Sequence, residues 1–397
     1  MRASAALVCA TAFWTIPAAS TAAYINLIDE GGVAGSDVEA GFKIAAAYWS
    51  SILTNDVTIN IAVDYRSLSG RLLGGASSTY VDYATSDWVA GVEATRSDSM
   101  LDSSVILPTL TDGGASFITT GSNDAGATDA SVLTYVEGDT VSSQTLYLQT
   151  ALVKAVGGTP DYRASNELEI DGSIVFNSNA SLDLDPTDGI DAGSYDFISI
   201  AIHELGHALG FSSGVDTLDA ASAESGTSDY DYNDTSIYSA LDMFRYSSDP
   251  EGIAPGEGAS LDLSAGTAAY FSIDGGATAL GGNAFATGTV TGDGREASHW
   301  RDGAGCDELG VMSPVACQGE GAAVTALDLA SFDAIGWNLS VDALEDPDYA
   351  ISSADIYRQF ASAIPEPATW TSMLVGLLMT GGMLRRKIPR RMMAPSR

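Results

Sequence analysis

The sequence predicts an α+β fold, and three segments carry this prediction. Apolar residues recur at intervals of three and four from Ser36 to Leu53, which indicates a helix with one buried face. Residues 57–63 (VTINIAV) alternate between apolar and polar side chains, as a half-buried strand does. Residues 195–210 (YDFISIAIHELGHALG) return to helical spacing. Helices and strands that follow one another irregularly along a chain favour the α+β class.

Shorter elements are predicted between these segments. Residues 146–156 are predicted to form a helix that the Gly157-Gly158 pair ends. Residues 173–176 (SIVF) are predicted to form a short strand. The stretch 64–139 is rich in Gly, Ser, Thr and Asp, and its pattern assigns no element.

The last predicted element of the domain is a helix after Thr325, a residue that can cap it. Gly336 follows the apolar positions and can end the helix. Its predicted buried stripe contains Leu329, Phe332 and Ile335.

The amino-terminal residues 1–23 are predicted to be a secretory signal peptide. They carry one charge at Arg2, then an apolar stretch, then small residues before Tyr24. Cleavage is expected near Ala22 or Ala23. The alternative is an apolar first helix of the domain, which Pro17 disfavours.

The carboxyl-terminal residues 368–384 carry no charge and have a length that barely spans a bilayer. A basic group follows directly: Arg385, Arg386, Lys387, Arg390 and Arg391. Basic residues after an apolar span favour a cytoplasmic location for that end, so the preceding domain is expected on the far side of the membrane. The expected organisation is therefore a domain over 24–345, a linker over 346–364 and an export segment over 365–397.

The charge balance excludes some partners. The chain has 52 acidic residues and 17 basic residues, a formal net charge of -35. Such a surface repels nucleic acid and anionic membranes, so membrane contact is expected only through residues 368–384. The densest acidic stretches, 183–191 and 228–234, lack the spacing of an EF-hand loop and are expected to be solvated loops. Calcium binding and a salty habitat remain alternative explanations of the charge.

The cysteine content predicts one disulfide. The chain has three cysteines, of which Cys9 lies in the predicted signal peptide. Cys306 and Cys317 remain as a pair in an exported domain, where a bond between them is expected.

The HELGH segment predicts a zinc site on the helix at 195–210. His203 and His207 are four residues apart, so their imidazoles lie one turn apart on one face and can meet at one metal ion. Glu204 can act as general base on a water at that metal. Only three histidines occur in the whole chain, so a chance match is improbable. The alternative is a pair of buried core histidines.

Further motifs resemble a known family. Met312 follows His299 by thirteen residues, and this order is similar to metzincins of the leishmanolysin kind, in which an insertion separates the catalytic helix from a late third histidine and a Met-turn. More closely, the segments HELGHALGF, LDMFRYSS, YFSIDGG, ASHWRDG and LDLASFDAIGW resemble exported PEP-CTERM-sorted metalloproteases over about residues 45–337. The Pro365-Glu366-Pro367 triplet, the apolar span and the basic tail resemble their sorting signal, which an exosortase recognises. The alternative for this end is an ordinary membrane anchor.

The resemblance implies a metzincin-like zincin divided near residue 210. The upper lobe would contain a twisted mixed sheet and the active-site helix, and the irregular lower lobe would contain the Met-turn and a carboxyl-terminal helix. The strand at 173–176 would be the sheet edge that binds a peptide substrate antiparallel. The implied zinc ligands are His203, His207 and His299, with Glu204 as base and Met312 beneath the metal.

One departure from the family pattern leaves the third ligand open. Ser213 stands where the compact metzincin pattern has its third histidine. If His299 does not complete the site, a downstream carboxylate such as Asp216 or Glu224 is the alternative.

The expected function is that of a zinc endopeptidase, exported to the surface or extracellular matrix of a Gram-negative bacterium and acting on proteins or peptides. The alternatives are a non-catalytic surface or matrix protein stabilised by zinc, and a zinc amidase acting on cell-wall peptides. A structural zinc normally has four protein ligands, whereas a catalytic zinc keeps one position open.

Overall fold

The computed structural model describes residues 22–70, 72–223, 234–249, 251–256, 258–301 and 306–363. The strands form open mixed sheets and the helices pack on them, so the predicted α+β class is confirmed. None of the helices in these ranges is long and apolar enough to cross a membrane. The predicted membrane segment 368–384 and most of the predicted signal peptide lie outside the described residues.

The elements are numbered in chain order. The helices are α1 Glu39–Ile52, α2 Thr85–Thr95, α3 Met100–Ser104, α4 Val141–Gln144, α5 Thr150–Ala155, α6 Phe197–Ala208, α7 Val215–Ala223, α8 Ala326–Ile335 and α9 Ser353–Phe360. The strands are β1 Tyr24–Gly31, β2 Thr58–Arg66, β3 Gly74–Ser78, β4 Tyr80–Ala84, β5 Leu110–Thr111, β6 Gly114–Ala115, β7 Phe117–Ser122, β8 Thr128–Val136, β9 Thr145–Gln149, β10 Gly172–Asn177, β11 Leu182–Asp183, β12 Tyr195–Asp196, β13 Arg245–Ser247, β14 Ser260–Leu263, β15 Tyr270–Phe271, β16 Ala323–Thr325 and β17 Ala350–Ser352.

The sheet next to the candidate site has the strand order β1-β2-β10-β3. Strands β1, β2 and β10 are parallel, and β3 runs antiparallel to β10. Helices α1 and α6 pack against each other, and their aromatic side chains meet those of the sheet: Phe42 lies edge-on to both Phe176 and Phe197. This buried aromatic contact fixes α6 against the sheet.

The periodic segments of the sequence form the predicted elements. Helix α1 lies within 36–53 and α6 occupies 197–208. Strand β10 covers the predicted strand 173–176, and β2 begins one residue after the start of the predicted strand 57–63. Helix α8 begins after Thr325, whose side chain accepts a hydrogen bond from the Asp328 backbone N–H, as predicted for a cap.

The predicted helix at 146–156 is wrong in its first half. The structure places β9 there, paired antiparallel with β4, and only α5 is helical. Leu146 and Leu148 are buried while Tyr147 is exposed, which is the period of a strand. The short apolar run fits both periods, and pairing with β4 decides between them.

The predicted edge strand is also corrected. Strand β10, which contains residues 173–176, lies inside the sheet between β2 and β3. The edge is β3, whose sequence GGASS lacks the β-branched and aromatic residues typical of strands. Pairing with β10, from Gly74 opposite Phe176 to Ser78 opposite Gly172, imposes the extended conformation.

The predicted linker at 346–364 is wrong as well. Strand β17 pairs with β16, and α9 packs against α1. Ile356 of α9 is 1 % exposed, so the helix contributes to the core. The domain therefore continues to Phe360.

The stretch 64–139, to which the sequence assigned no element, contains β3 to β8 with α2 and α3. Strands β7 and β8 join the later strands in a second sheet of order β15-β13-β14-β7-β8. Contacts between distant segments, such as Asp262 opposite Ile118, create this order, and local periodicity does not report them.

Asp333 of α8 predicts a measurable pH dependence of stability. It is 2 % exposed, and burial together with the neighbouring Asp102 raises its pKa to about 9. Because its pKa in the unfolded chain is about 3.9, the folded protein holds the proton more tightly, and the free energy of unfolding falls as the pH rises between these values. An amide at this position needs no titrating proton. We therefore expect Asp333→Asn to unfold about 3–8 °C above the parent at pH 8 and to lose this advantage at pH 4.

Thermal unfolding at the two pH values measures this difference. Asp124→Asn, at an exposed position between β7 and β8, is the matched control and is expected to leave the melting temperature unchanged. An Asp333→Asn variant no more stable than the parent at pH 8 would contradict the interpretation.

Candidate metal centre

Helix α6 carries the first two histidines, and its ends are held by side chains. At the start, Asp196 accepts hydrogen bonds from the backbone N–H groups of Ile198 and Ser199. At the other end, the Trp337 indole donates to the Leu209 carbonyl at 2.7 Å. The predicted apolar stripe of the helix is buried, so the remaining face presents His203 and His207 to the site.

The three histidines of the chain meet at one point. His207 Nε2 lies 3.0 Å from His203 Nε2 and 3.2 Å from His299 Nε2, and 3.3 Å separates the Nε2 atoms of His203 and His299. His299 comes from the segment after β15, far from α6 in sequence. Together these side chains could hold a metal ion, and among the described residues they are the one such group of His, Cys, Asp or Glu side chains.

The hydrogen bonds at the other ring nitrogens define the protonation state. Nδ1 of His203 contacts the Val311 carbonyl at 2.7 Å, and Nδ1 of His207 contacts the Phe211 carbonyl at 2.6 Å. A carbonyl only accepts, so each Nδ1 carries the proton and each Nε2 presents a lone pair. His299 Nδ1 contacts the Glu296 carbonyl in the same way, at 3.3 Å.

Three lone pairs that face one another repel unless a cation lies between them. Burial lowers the pKa of all three histidines, that of His207 to about 3, so a shared proton is disfavoured. A neutral imidazole is the form that binds a metal. The donor set therefore fits a metal ion better than it fits an ordinary buried histidine cluster.

His299 is positioned by the segment that follows α6. The Asp216 carboxylate accepts hydrogen bonds from the backbone N–H groups of Ala297, at 2.5 Å, and Ser298, at 3.0 Å. The Ser298 hydroxyl accepts from the Ser213 N–H at 3.0 Å. Asp216 thus orients the third histidine and is not part of the metal-ligand group, which corrects its place as an alternative ligand. The other alternative, Glu224, lies outside the described residues.

Met312 lies directly against α6. A Cβ placed on Gly206 would stand 2.5 Å from the Met312 sulfur, which no real contact allows. The glycine of HELGH therefore makes room for this side chain, which is fully buried. Next to it in the chain, the Val311 carbonyl orients His203, and the Met312 carbonyl accepts from the Trp300 N–H at 3.1 Å.

Asp328 on α8 joins these segments, and sequence reasoning missed it. Its carboxylate is fully buried and accepts hydrogen bonds from the Val311 N–H at 2.9 Å, the Met312 N–H at 3.2 Å and the Trp300 indole at 2.8 Å. It also accepts from the backbone N–H of Thr325 at 2.8 Å. One side chain thus fixes the turn that orients His203 and the residue that follows His299.

We expect Asp328→Asn to weaken zinc binding about 10-fold to 100-fold and to lower the free energy of unfolding by about 2–4 kcal/mol. The carboxylate oxygens accept hydrogen bonds from N–H groups, and an amide nitrogen in place of one oxygen would point a donor at these donors. Zinc competition titration of the folded variant measures the first effect and denaturant unfolding the second. The exposed Asp348→Asn is the control. Parent-like zinc affinity in a folded Asp328→Asn protein would refute this role.

Glu204 is buried beside the histidines, at 9 % exposure. Burial and, second, the negative charge of Glu296 raise its pKa to about 7, while a backbone hydrogen bond from Ala76 of β3 acts in the opposite direction. Glu204 and His203 both line a cavity of about 300 Å³ that opens to solvent. The carboxylate can therefore exchange a proton with a molecule bound in this cavity.

Cys306 and Cys317 form a disulfide with a Cα–Cα distance of 6.1 Å. The bond encloses Glu308, Met312 and the turn at Gly310–Ser313, where the Ser313 N–H donates to the Gly310 carbonyl at 3.1 Å. It therefore closes a loop around the segment that lies against α6.

The fold and the site together define an α+β protein with a group of three histidines that could hold a metal ion. Comparison with protein-family models, with curated proteins and with solved structures finds no match to this chain.

Proposed function

We propose that this protein is an exported zinc-dependent endopeptidase. The observation that carries the proposal is the convergence of His203, His207 and His299 beside the buried carboxylate of Glu204, at the wall of an open cavity. Buried ionisable groups of this kind, with strongly shifted pKa values in a cleft, are typical of catalytic sites.

Zinc is the metal that this donor set fits best. Three neutral imidazole nitrogens suit zinc, whereas calcium and magnesium require oxygen ligands. Nitrogen atoms bound about 2.0–2.1 Å from a tetrahedral zinc stand about 3.3 Å apart. The Nε2 atoms here are separated by 3.0 to 3.3 Å, which is close to that spacing.

Bound there, zinc would polarise the scissile carbonyl and acidify the attacking water. Glu204 would accept the proton of that water and donate it to the leaving amine. The carbonyls of Val311 and Phe211 hold the Nδ1 protons of the first two histidines and so keep their Nε2 lone pairs directed at the metal.

A peptide substrate would bind along the edge strand β3. This strand packs against α6, the Ser78 hydroxyl donates to the His207 carbonyl at 3.4 Å, and Ala76 contacts Glu204. The outer edge of β3 has backbone groups that β10 does not pair, and these can bind the backbone of any extended peptide. Such pairing favours protein substrates over compact small molecules.

A structural zinc is the weaker interpretation. It would require a fourth protein ligand, and the described His, Cys, Asp and Glu side chains form a group of three. The cavity at His203 and Glu204 instead leaves one side of the group accessible. Export rests on the signal peptide and sorting signal predicted from the sequence, with an exosortase as the expected partner.

The test is hydrolysis of casein by the protein loaded with one equivalent of zinc. We expect cleavage that a chelator abolishes and added zinc restores. Zinc binding without hydrolysis of any peptide bond would support the structural alternative. Cleavage of cell-wall peptides but not of casein would support the amidase.

A further inference from the structure

The cavity beside Glu204 has an unusual charge. Besides His203 and Glu204, it is lined by three acidic residues: Asp196, Glu308 and Glu320. No Lys or Arg occurs among the described residues of its lining. The rest of the wall is largely apolar, with Leu73, Ile200, Val311, Pro314 and Val315 among its side chains.

The most buried of these carboxylates has one poorly satisfied oxygen. Asp196 is 1 % exposed, and its Oδ1 caps α6. Its Oδ2 is buried and makes no hydrogen bond of normal geometry, and the Ser353 hydroxyl is a donor beside this carboxylate. Gly321 lies directly against this oxygen, because a Cβ there would stand only 2.9 Å from it. A buried carboxylate oxygen with so poor a hydrogen bond is costly unless a better donor or a cation satisfies it.

The pKa of the second carboxylate, that of Glu308, is raised by burial and by the acidic residues around it. Burial and the negative charges of Asp328, Glu320 and Asp196 raise the pKa of Glu308 to about 7. Like charges gathered around one cavity without a basic neighbour attract a cation from outside the chain.

The spacing of the carboxylates indicates what kind of cation fits. Their oxygens do not form a group compact enough to hold a metal ion, in contrast to the three histidines. The wall that they share is otherwise largely apolar. A long side chain with an apolar stem and an extended, hydrogen-bonding head matches this arrangement.

The position of the cavity along β3 assigns it to one side of the scissile bond. Leu72 and Leu73, directly before β3, and Gly74, its first residue, line this cavity. Ala76 to Ser78, at the end of β3, line a second cavity of about 360 Å³ together with His207. A substrate antiparallel to β3 runs from the Ser78 end to the Gly74 end. Its residues after the scissile bond therefore reach the acidic cavity.

We propose that this cavity binds the Arg or Lys side chain that immediately follows the scissile bond, so that the enzyme cleaves peptides on the amino side of basic residues. The inference rests on the proposed peptidase function. The cavity volume of about 300 Å³ is at the lower end of ligand-binding cavities and suits one side chain. The aliphatic stem packs along Ile200 and Val311, and the head binds Glu308, where the charges of Glu320 and Asp196 add to the attraction.

The experiment has a cleavage arm and a binding arm. In the first, the zinc-loaded protein digests a peptide library that was prepared by cleavage after Glu and therefore retains internal Lys and Arg. Mass spectrometry then gives the residues on both sides of each new bond. We expect Arg and Lys at least about tenfold enriched directly after the cleaved bond, as charge-assisted hydrogen bonds imply.

In the binding arm, calorimetry compares peptidyl hydroxamates whose side chain next to the metal-binding group is Arg, norleucine or Glu. We expect the Arg compound to bind at least about tenfold more tightly than the norleucine compound, which has a similar stem without charge. This arm needs no turnover. An Arg preference in binding without any cleavage would support the cavity assignment and refute the peptidase function.

The Glu308→Gln variant separates the contribution of the negative charge from that of the apolar wall. It is expected to reduce the preference for Arg in both arms while the norleucine compound binds as before. Asp307→Asn, at the exposed neighbouring position, is the matched control and should retain the preference. Cleavage with apolar residues after the scissile bond, equal binding of the Arg and norleucine compounds, or an unchanged preference in Glu308→Gln would each overturn the inference.

Discussion

The Glu204→Gln variant is expected to bind zinc as tightly as the parent and to hydrolyse peptide bonds about 10³-fold more slowly. Glutamine keeps the shape of the side chain and can accept the Ala76 hydrogen bond through its amide oxygen. It cannot accept a proton from water near neutral pH, so the chemical step loses its base. Because Glu204 is not in the histidine group, metal binding should persist.

Two measurements on the same samples check this expectation: zinc content after dialysis, and the rate of casein hydrolysis. Glu345→Gln, which changes an exposed glutamate away from the site, serves as the matched control and should retain full activity. A Glu204→Gln protein as active as the parent would rule out Glu204 as the base. Loss of zinc from the variant would instead place Glu204 among the metal ligands.

The second large effect is expected for His299→Ala, which should raise the dissociation constant for zinc by more than about 100-fold. Two imidazoles from one helical turn would remain, and two ligands do not retain zinc against dialysis. The fold should persist, because His299 is oriented through backbone contacts of residues 297 and 298 with Asp216. Competition with a chromophoric chelator measures the affinity.

His207→Ala is expected to lose zinc to a similar extent, because the chain has only three histidines and all lie in this group. If His299→Ala binds zinc like the parent while His207→Ala does not, the third ligand comes from elsewhere. Residues outside the described ranges, such as Glu224, would then be tested in the same assay.

The sequence predicted the parts of the site that depend on local spacing. Helix α6, its buried stripe and the one-turn separation of His203 and His207 follow from the period of 3.6 residues and need no knowledge of the rest of the chain. His299 was predicted as the third ligand from the resemblance to a family and because it is the one remaining histidine. Its 3.2 Å approach to His207 depends on segments that are distant in sequence.

The residues that orient the site could not be read from periodicity. Asp328 looks like an ordinary helix-cap partner of Thr325, and only the folded chain brings the N–H groups of Val311 and Met312 to it. Asp216 was considered as a ligand, yet it binds the backbone beside His299. Long-range hydrogen bonds of single aspartates leave no pattern in the sequence.

The errors in the fold have the same origin. Strand β3 has a Gly- and Ser-rich sequence, and α9 follows a polar segment with several acids. Strand β3 has no strong intrinsic preference for the structure that it adopts, and α9, although Ser352 caps it, is only 8 residues long. Pairing with β10 and packing against α1 supply the stabilisation, and both are tertiary contacts.

The most direct test of the metal centre is the zinc K-edge X-ray absorption spectrum of the zinc-loaded protein. We predict three imidazole nitrogens at about 2.0–2.1 Å and one exchangeable oxygen. In His299→Ala, measured with zinc and protein both above the raised dissociation constant, we predict one nitrogen fewer. Four protein ligands without an exchangeable oxygen, or the same spectrum in the variant, would contradict a catalytic zinc held by His203, His207 and His299.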